Sequence, residues 1–294
     1  MHELSARPST IFSEGTRLAA DMYAPAGYGP ATGRPAILLC HGWGGLKSQL
    51  VEYARAFARA GFFAMTFDYR GWGQSDGRII PASGSPRLLE AGVRTLDVRV
   101  LREIVDPVDQ TTDVRNCLAA LVSEPGVDPA RIGLWGTSYG GGHAVFVGGN
   151  DDRIRAIVAQ IGGFDYPPEY RAEALLRATQ KARGEIDPVV PQGGLDAAAG
   201  LQGTPDIARM AVHSRLAAAA NVRVPTLIMD AEYEELVNRL EHGFTAYMII
   251  RQHATCEYRT FPCDHYAVYH RFFDESVTAA IEWFHKYLSS CASE

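Results

Sequence analysis

A hydroxyl becomes a nucleophile when the backbone exposes it and a positioned imidazole takes its proton. One serine in this chain sits in such a setting. The segment Arg131-Ile-Gly-Leu-Trp-Gly136-Thr137-Ser138-Tyr139-Gly140-Gly141-Gly142 is an apolar strand that runs straight into Gly-x-Ser-x-Gly and then a helix of small residues. This is the sequence context of a nucleophile elbow. A serine on so sharp a turn has strained backbone geometry and neighbours crowding it on both sides. Gly136 and Gly140 are small because a side chain at either would clash. The turn lifts the Ser138 hydroxyl into a cleft near the positive end of the following helix, which favours developing negative charge. The base must come from nine histidines. One of them, His265 in Phe261-Pro-Cys-Asp-His-Tyr266, lies after the strand-like Cys256–Thr260 and before the final helix, with His270 as a nearby competitor. Carboxylates that could orient a base are plentiful in Asp230-Ala-Glu232-Tyr-Glu234-Glu235.

These residues have to be positioned by a scaffold, and helical and strand patterns alternate through most of the chain. That alternation predicts a mostly parallel α/β sheet covered by helices on both faces. The apolar runs Ala36–Cys40, Phe62–Phe67, Arg131–Trp135, Ile154–Ile161 and Pro225–Met229 read as strands buried on both sides, which need not alternate in polarity. Leu50, Val51, Ala54, Phe57 and Ala58 form one face of a helix that Gly61 can cap. Val114, Cys117, Leu118, Leu121 and Val122 do the same for a second helix, and Val277, Ala280, Ile281, Phe284 and Leu288 for a last one. Two stretches interrupt the pattern. Residues 79–110 contain Pro81 and Ser83-Gly-Ser-Pro86 and are expected to turn helical through Leu96–Ile104. Residues 163–220 are expected to form a small cap over the site within a single domain spanning 1–294, since insertions in such sheets fall where ligands bind. A surface excursion without function is the plainer reading of both.

With these pieces together the chain resembles the α/β-hydrolase superfamily, from about Gly15 to Leu288, with features of its dienelactone-hydrolase, acetylxylan-esterase and peptidase-like branches. Cys40-His-Gly-Trp43-Gly-Gly45 follows an apolar strand where these hydrolases carry an oxyanion loop. By that resemblance the backbone N–H groups of Trp43 and Tyr139 form the oxyanion hole. Asp68-Tyr-Arg70-Gly71-Trp72-Gly73-Gln-Ser75 resembles a turn that is structural in the family, so Ser75 is not a nucleophile candidate. The family places its base where His265 stands, leaving His41 to hydrogen-bond the oxyanion turn and His143 to pack inside its helix. Alignment on the family's acid-bearing turn puts Glu234 in the acid's place, with Glu232 and Asp230 as alternatives. Glutamate there departs from the commoner aspartate and is one methylene longer. The order Ser138, Glu234, His265 is the order of this fold.

The resemblance implies a serine esterase that forms an acyl-enzyme on a small-molecule ester, lactone or other acyl substrate. Trp72, Tyr166 and Tyr266 are the candidate pocket residues, beside Trp43, Tyr139 and Phe164, although aromatic residues near site loops are as often core packing. An acyltransferase, a thioesterase or a small peptidase would keep the same triad. A peptidase needs an acid for the substrate amine, for which Glu169, Glu173 and Glu185 are candidates. A non-catalytic binding protein of the same fold is the reading from another class. No cofactor is expected. Gly42–Ser48 is superficially like a phosphate-binding loop but has Leu46 where that motif needs glycine, Gly71-x-Gly73 lacks its third glycine, and neither His-Glu-x-x-His nor a Cys/His cluster marks a metal. The 294 residues carry a net charge of −6 with no basic run, which argues against nucleic-acid or anionic-membrane partners. No apolar run approaches the roughly 20 residues of a spanning helix, the N-terminus lacks the order of a secretory signal, and the five cysteines are scattered. A cytoplasmic setting with reduced thiols is expected, and the oligomeric state is not legible.

Overall fold

The computed structural model describes residues 5–82, 84–166, 170–186 and 201–289. Its frame is an eight-stranded sheet made from β1 (Arg7–Ser13), β2 (Thr16–Tyr23), β3 (Arg34–Cys40), β4 (Phe63–Phe67), and four later strands, with α1 (Val51–Arg59) crossing between β3 and β4. After β4 the chain forms a ribbon of β5 (Arg78–Pro81) and β6 (Val98–Leu101), a short β7 (Ile104–Val105), and α2 (Pro107–Val122). It returns to the sheet as β8 (Val127–Thr137), continues into α3 (Tyr139–Gly148), and comes back as β9 (Ile154–Gln160). An excursion follows, containing α4 (Tyr170–Arg183), β10 (Thr204–Pro205), α5 (Ile207–Met210) and α6 (Arg215–Ala219). The sheet is completed by β11 (Thr226–Ala231), α7 (Gly243–Ile250), β12 (Cys256–Phe261) and α8 (Phe273–Leu288).

The strand order is β1-β2-β4-β3-β8-β9-β11-β12. β1, β2 and β4 pair antiparallel, and every pairing from β4 through to β12 is parallel. Parallel strands need crossovers on both faces, so the central strands lose water on both sides. Ala36 to Cys40 and Leu227 to Met229 are accordingly fully buried. One face is covered by α1 and α8, whose Phe57, Trp283, Phe284 and Leu288 pack on Trp135, Val158 and Met229. The other is covered by α2, α3 and α7, with Val114, Leu118, Leu121, Val145 and Ile250 packed on Leu38, Leu134 and Ile228. Among the described residues no helix is long and apolar enough to cross a membrane.

The helix expected over Leu96–Ile104 is not there. Val98-Arg-Val100-Leu101 pairs antiparallel with Arg78–Pro81, and Ile104–Val105 pairs with Thr204–Pro205. β-Branched residues in alternation favour the pleated ribbon over a helix. Of the long insertion, 167–169 and 187–200 lie outside the described residues, including Pro188–Gly194. Of the described remainder, α6 packs on α3, and α5 packs on α2 and on α4.

The turn after β4 shows how the scaffold is fixed. Asp68 accepts hydrogen bonds from the N–H groups of Lys47 (2.8 Å) and Gln74 (3.0 Å). Ser75 donates to Asp68 O at 2.6 Å and accepts from Ala19 N, the bonding of a structural serine. Gly73 has positive φ and no room for a Cβ beside the Asp68 carboxylate. Arg70 pairs with fully buried Asp113 of α2 through Nη2 (2.6 Å) and Nε (2.9 Å), and Arg70 N–H also donates to Asp113 (2.9 Å). Removing one partner of a buried pair strands the other. Asp113→Ala should therefore lower stability by about 3–5 kcal/mol, read as a lower urea midpoint with little change in slope.

Candidate active site

β8 ends at Thr137, and Ser138 adopts φ 52° and ψ −126° before α3 begins. For a non-glycine residue this conformation costs about 1–3 kcal/mol. It survives because packing leaves no alternative. A Cβ on Gly136 would strike the Gly140 carbonyl, one on Gly140 would strike the carbonyls of Cys40 and His41, and one on Gly42 would lie 2.9 Å from Ser138 Cβ. The loop after β3 and the start of α3 are thus pressed together around the serine.

His265 stands at the other side of Ser138. Its Nε2 is 3.2 Å from Ser138 Oγ, and its Nδ1 is 2.8 Å from both oxygens of Glu234. The two side chains are almost sealed, at 4% and 3% exposure, so their interaction is little screened by water. Donation of Nδ1–H to Glu234 fixes the tautomer in which Nε2 accepts the serine proton. Glu234 lies in the loop after β11 and His265 in the loop after β12, and the two strands are paired in register from Thr226 with Cys256 to Ala231 with Phe261. The extra methylene of glutamate is accommodated because Glu234 Oε1 also accepts Leu236 N–H at 3.0 Å.

The other acids and histidines of this region are occupied elsewhere. Glu232 accepts from Thr260 Oγ1 (2.9 Å) at the surface, and buried Asp230 accepts from Tyr258 Oη (2.9 Å), burial pushing its carboxyl up to about 7. Neither touches the imidazole. His270 is exposed. His41 Nδ1 is 3.0 Å from Gly42 O, and His143 Nε2 is 3.0 Å from Gln110 Oε1 inside the packing of α2 and α3. One acid that the sequence did not single out, Glu235, accepts the backbone N–H of His265 at 2.9 Å. It anchors the backbone of His265 while Glu234 anchors its ring.

The Tyr139 N–H is the first of α3 and has no acceptor within the helix. Trp43 N–H has no hydrogen-bond acceptor among the described residues. The Trp43 ring stands edge-on to Tyr139 at 5.4 Å, and its Nε1–H donates to Gln202 O at 3.1 Å. Two cavities meet at Ser138 and His265, of about 290 and 750 Å³. Tyr166 lines the smaller and Tyr266 the larger. Trp72 lines neither: it is buried under Gly203 and its Nε1–H donates to Ile104 O at 3.1 Å. Its nearness to a glycine-rich turn in sequence did not translate into nearness to the serine, and its role is packing. Of the acids suggested for a peptide amine, Glu173 is paired with Arg177 (2.8 Å), Glu185 lies 3.6 Å from Arg183, and Glu169 falls outside the described residues.

A sheet of this order, with a strained serine between strand and helix and a histidine from the last loop, defines an α/β-hydrolase. Within that superfamily, residues 14–219 match the model of the X-Pro dipeptidyl-peptidase (S15 family), and the chain belongs to that family. An uncharacterised 31.7 kDa protein of the traX-finO intergenic region in Escherichia coli is 36% identical over 135 residues, 45% of this chain and 38% of that one. The thiohydrolase aneE of Aspergillus aculeatus is 29% identical over 147 residues, 50% of this chain and again 38% of the relative. The chain thus matches well under half the length of these relatives. Over the whole fold, the structure of DcsB in complex with its substrate analogue aligns with a TM-score of 0.76, covering 97% of this chain and 100% of that one at 20% identity.

Burial pushes the His213 imidazole down to about 4, with the nearby Arg215 charge adding to the effect. An imidazole depressed from its unfolded value near 6.5 gives stability that is full above pH 6.5 and is lost as the pH falls towards 4. Each such proton taken up only on unfolding sets a slope of about 1.4 kcal/mol per pH unit. The stability difference between wild type and His213→Gln should therefore be constant above pH 7 and shrink or reverse by about that slope between pH 6 and 4.5. Chemical denaturation of both proteins across this range measures it.

Proposed function

We propose that the chain is a serine hydrolase that cleaves a carboxylic ester, lactone or thioester through an acyl-enzyme. The observation that carries this reading is His265 bridging Ser138 Oγ at 3.2 Å and Glu234 at 2.8 Å. In the proposed cycle Ser138 Oγ attacks the substrate carbonyl carbon as His265 Nε2 takes its proton. The negative charge moves to the carbonyl oxygen, which accepts hydrogen bonds from the N–H groups of Trp43 and Tyr139. Glu234 stabilises the imidazolium without taking its proton. Collapse of the tetrahedral intermediate breaks the bond to the leaving alcohol or thiol, which receives the proton from His265. Water, deprotonated by the same imidazole, then releases the acid and restores Ser138. The described residues between 163 and 220 act as a cap over the smaller cavity, with Tyr166 in its wall and Tyr266 in the wall of the larger one.

The relative described as a thiohydrolase supports extending the leaving group from alcohol to thiol. The family description favours a second reading, removal of an X-Pro dipeptide. Such a substrate presents a free ammonium, yet the most deeply buried charge lining the smaller cavity, beside the more open Asp165 and Glu241, is the cation Arg215. That charge supports an ester over a peptide. The single-domain organisation and a cytoplasmic setting complete this reading.

A fluorophosphonate probe should add one adduct to wild type, seen by intact mass, and none to Ser138→Ala. Hydrolysis of p-nitrophenyl esters and of acyl N-acetylcysteamine thioesters should be lost with it. Glu234→Gln should lower kcat by about 10³ to 10⁴ through loss of the orienting carboxylate, whereas Glu232→Gln should change it less than about threefold, being far from the imidazole. Absence of an adduct on folded wild type overturns the hydrolase reading, and faster cleavage of an X-Pro p-nitroanilide than of any ester replaces it with the peptidase.

A further inference from the structure

One charged side chain at the site is spent on nothing the hydrolytic cycle needs. Arg215, the first residue of α6, is only 1% exposed and lines the smaller cavity together with Ser138, Tyr139, Tyr166 and His265. Its Nε and Nη1 are shut off from water and have no hydrogen-bond partner among the described residues. The guanidinium lies 4.2 Å from the centre of the Tyr139 ring, a contact with its π face that leaves Nε and Nη1 unused. A buried cation with no ion pair among the described residues is expensive, and a guanidinium's N–H donors are matched to a carboxylate.

The acids of the same cavity do not neutralise it. Asp165 accepts from Ser214 Oγ, from Arg215 N–H (2.7 Å) and from Leu216 N–H (3.2 Å), so its oxygens cap the start of α6. Glu241 stands at the exposed rim and accepts from Asn238 Nδ2 (2.8 Å). The neighbouring histidines offer no competing positive charge. Burial, reinforced by Arg215, holds His143, His213 and His242 below the ordinary imidazole range. Position is set as well: an ideal Cβ on Gly142 would lie 2.9 Å from Arg215 Cδ. Gly142 is four residues along α3 from Ser138, about 6 Å at the helical rise.

We infer that the acyl group cleaved at Ser138 carries a carboxylate, held by Arg215 in the cavity of about 290 Å³, so that the substrate is a half-ester or half-thioester of a short dicarboxylic acid. This rests on the hydrolase reading above. A single guanidinium balances one negative charge, and Asp165 and Glu241 on the same walls disfavour a dianionic phosphate. The aromatic rings of Tyr139, Tyr166 and Tyr170 enclose the methylene chain between the two carbonyl groups.

The test compares kcat/KM for mono-p-nitrophenyl adipate with that for p-nitrophenyl 6-oxoheptanoate, its neutral methyl-ketone counterpart. Wild type should prefer the carboxylate by about 30-fold, the size of one charge-assisted contact, expressed in KM more than in kcat. Arg215→Met should bring the ratio to near one, and Arg215→Lys should restore part of it. Free adipate should inhibit wild type competitively and 1,6-hexanediol should not, which decides the matter even where the Met variant does not fold. A wild-type ratio at or below one, or a ratio unchanged in Arg215→Met, overturns the inference and leaves Arg215 as a stacking partner of Tyr139. Turnover of the neutral ester in that case preserves the hydrolase reading. No turnover of either ester, with no fluorophosphonate adduct, removes both.

Discussion

Everything at this site depends on how closely α3 is driven against the loop after β3. Gly140 has no space for a Cβ because the carbonyls of Cys40 and His41 occupy it, and Gly42 is pressed against Ser138 itself. That contact holds Ser138 in its positive-φ turn at the start of α3. The sharp turn at Ser138 and the close approach of the loop after β3 are therefore products of one packing event. The sheet supplies the pressure: β3 and β8 are paired from Ala36 with Ile132 to Cys40 with Gly136, immediately below the turn.

His265 is fixed by a second, independent part of the sheet. β11 and β12 run parallel and in register, so the loops that leave them emerge side by side. One loop then holds the other at two points, Glu234 on the imidazole ring and Glu235 on the backbone of the same residue. Ring orientation and backbone position are separated between two adjacent carboxylates. The acid-rich loop after β11 thus makes two separate contacts with one histidine.

What was legible in the sequence was local. The elbow announces itself because strand, glycines and serine are contiguous, and His265 because it falls between a strand and a closing helix. Glu234 was distinguished from Glu232 and Asp230 only by the resemblance to a family turn, since composition cannot tell which of three nearby acids faces an imidazole. Trp72 was misplaced for the converse reason: a residue beside a conspicuous turn is not thereby beside the cleft, and its ring is sealed beneath Gly203. The Leu96–Ile104 helix failed because its apolar residues fit a helical face, yet the β-branched Val98 and Val100 had a partner strand twenty residues earlier. Arg215 was invisible altogether. It stands in a run that reads as an ordinary amphipathic turn, and only the tertiary fold shows that its charge is buried over the nucleophile's helix.

The backbone at Ser138 has one further meaning. Its conformation, φ 52° and ψ −126°, belongs to the region that glycine enters freely and other residues enter at a penalty. Glycine has no hydroxyl. On the proposed function, selection for a more robust fold and selection for a reactive side chain pull in opposite directions at this position, where the serine stands against the preference of its own backbone. A lineage that lost its substrate would be free to relax here first, so a glycine at position 138 in a related chain would mark a protein that had exchanged chemistry for stability.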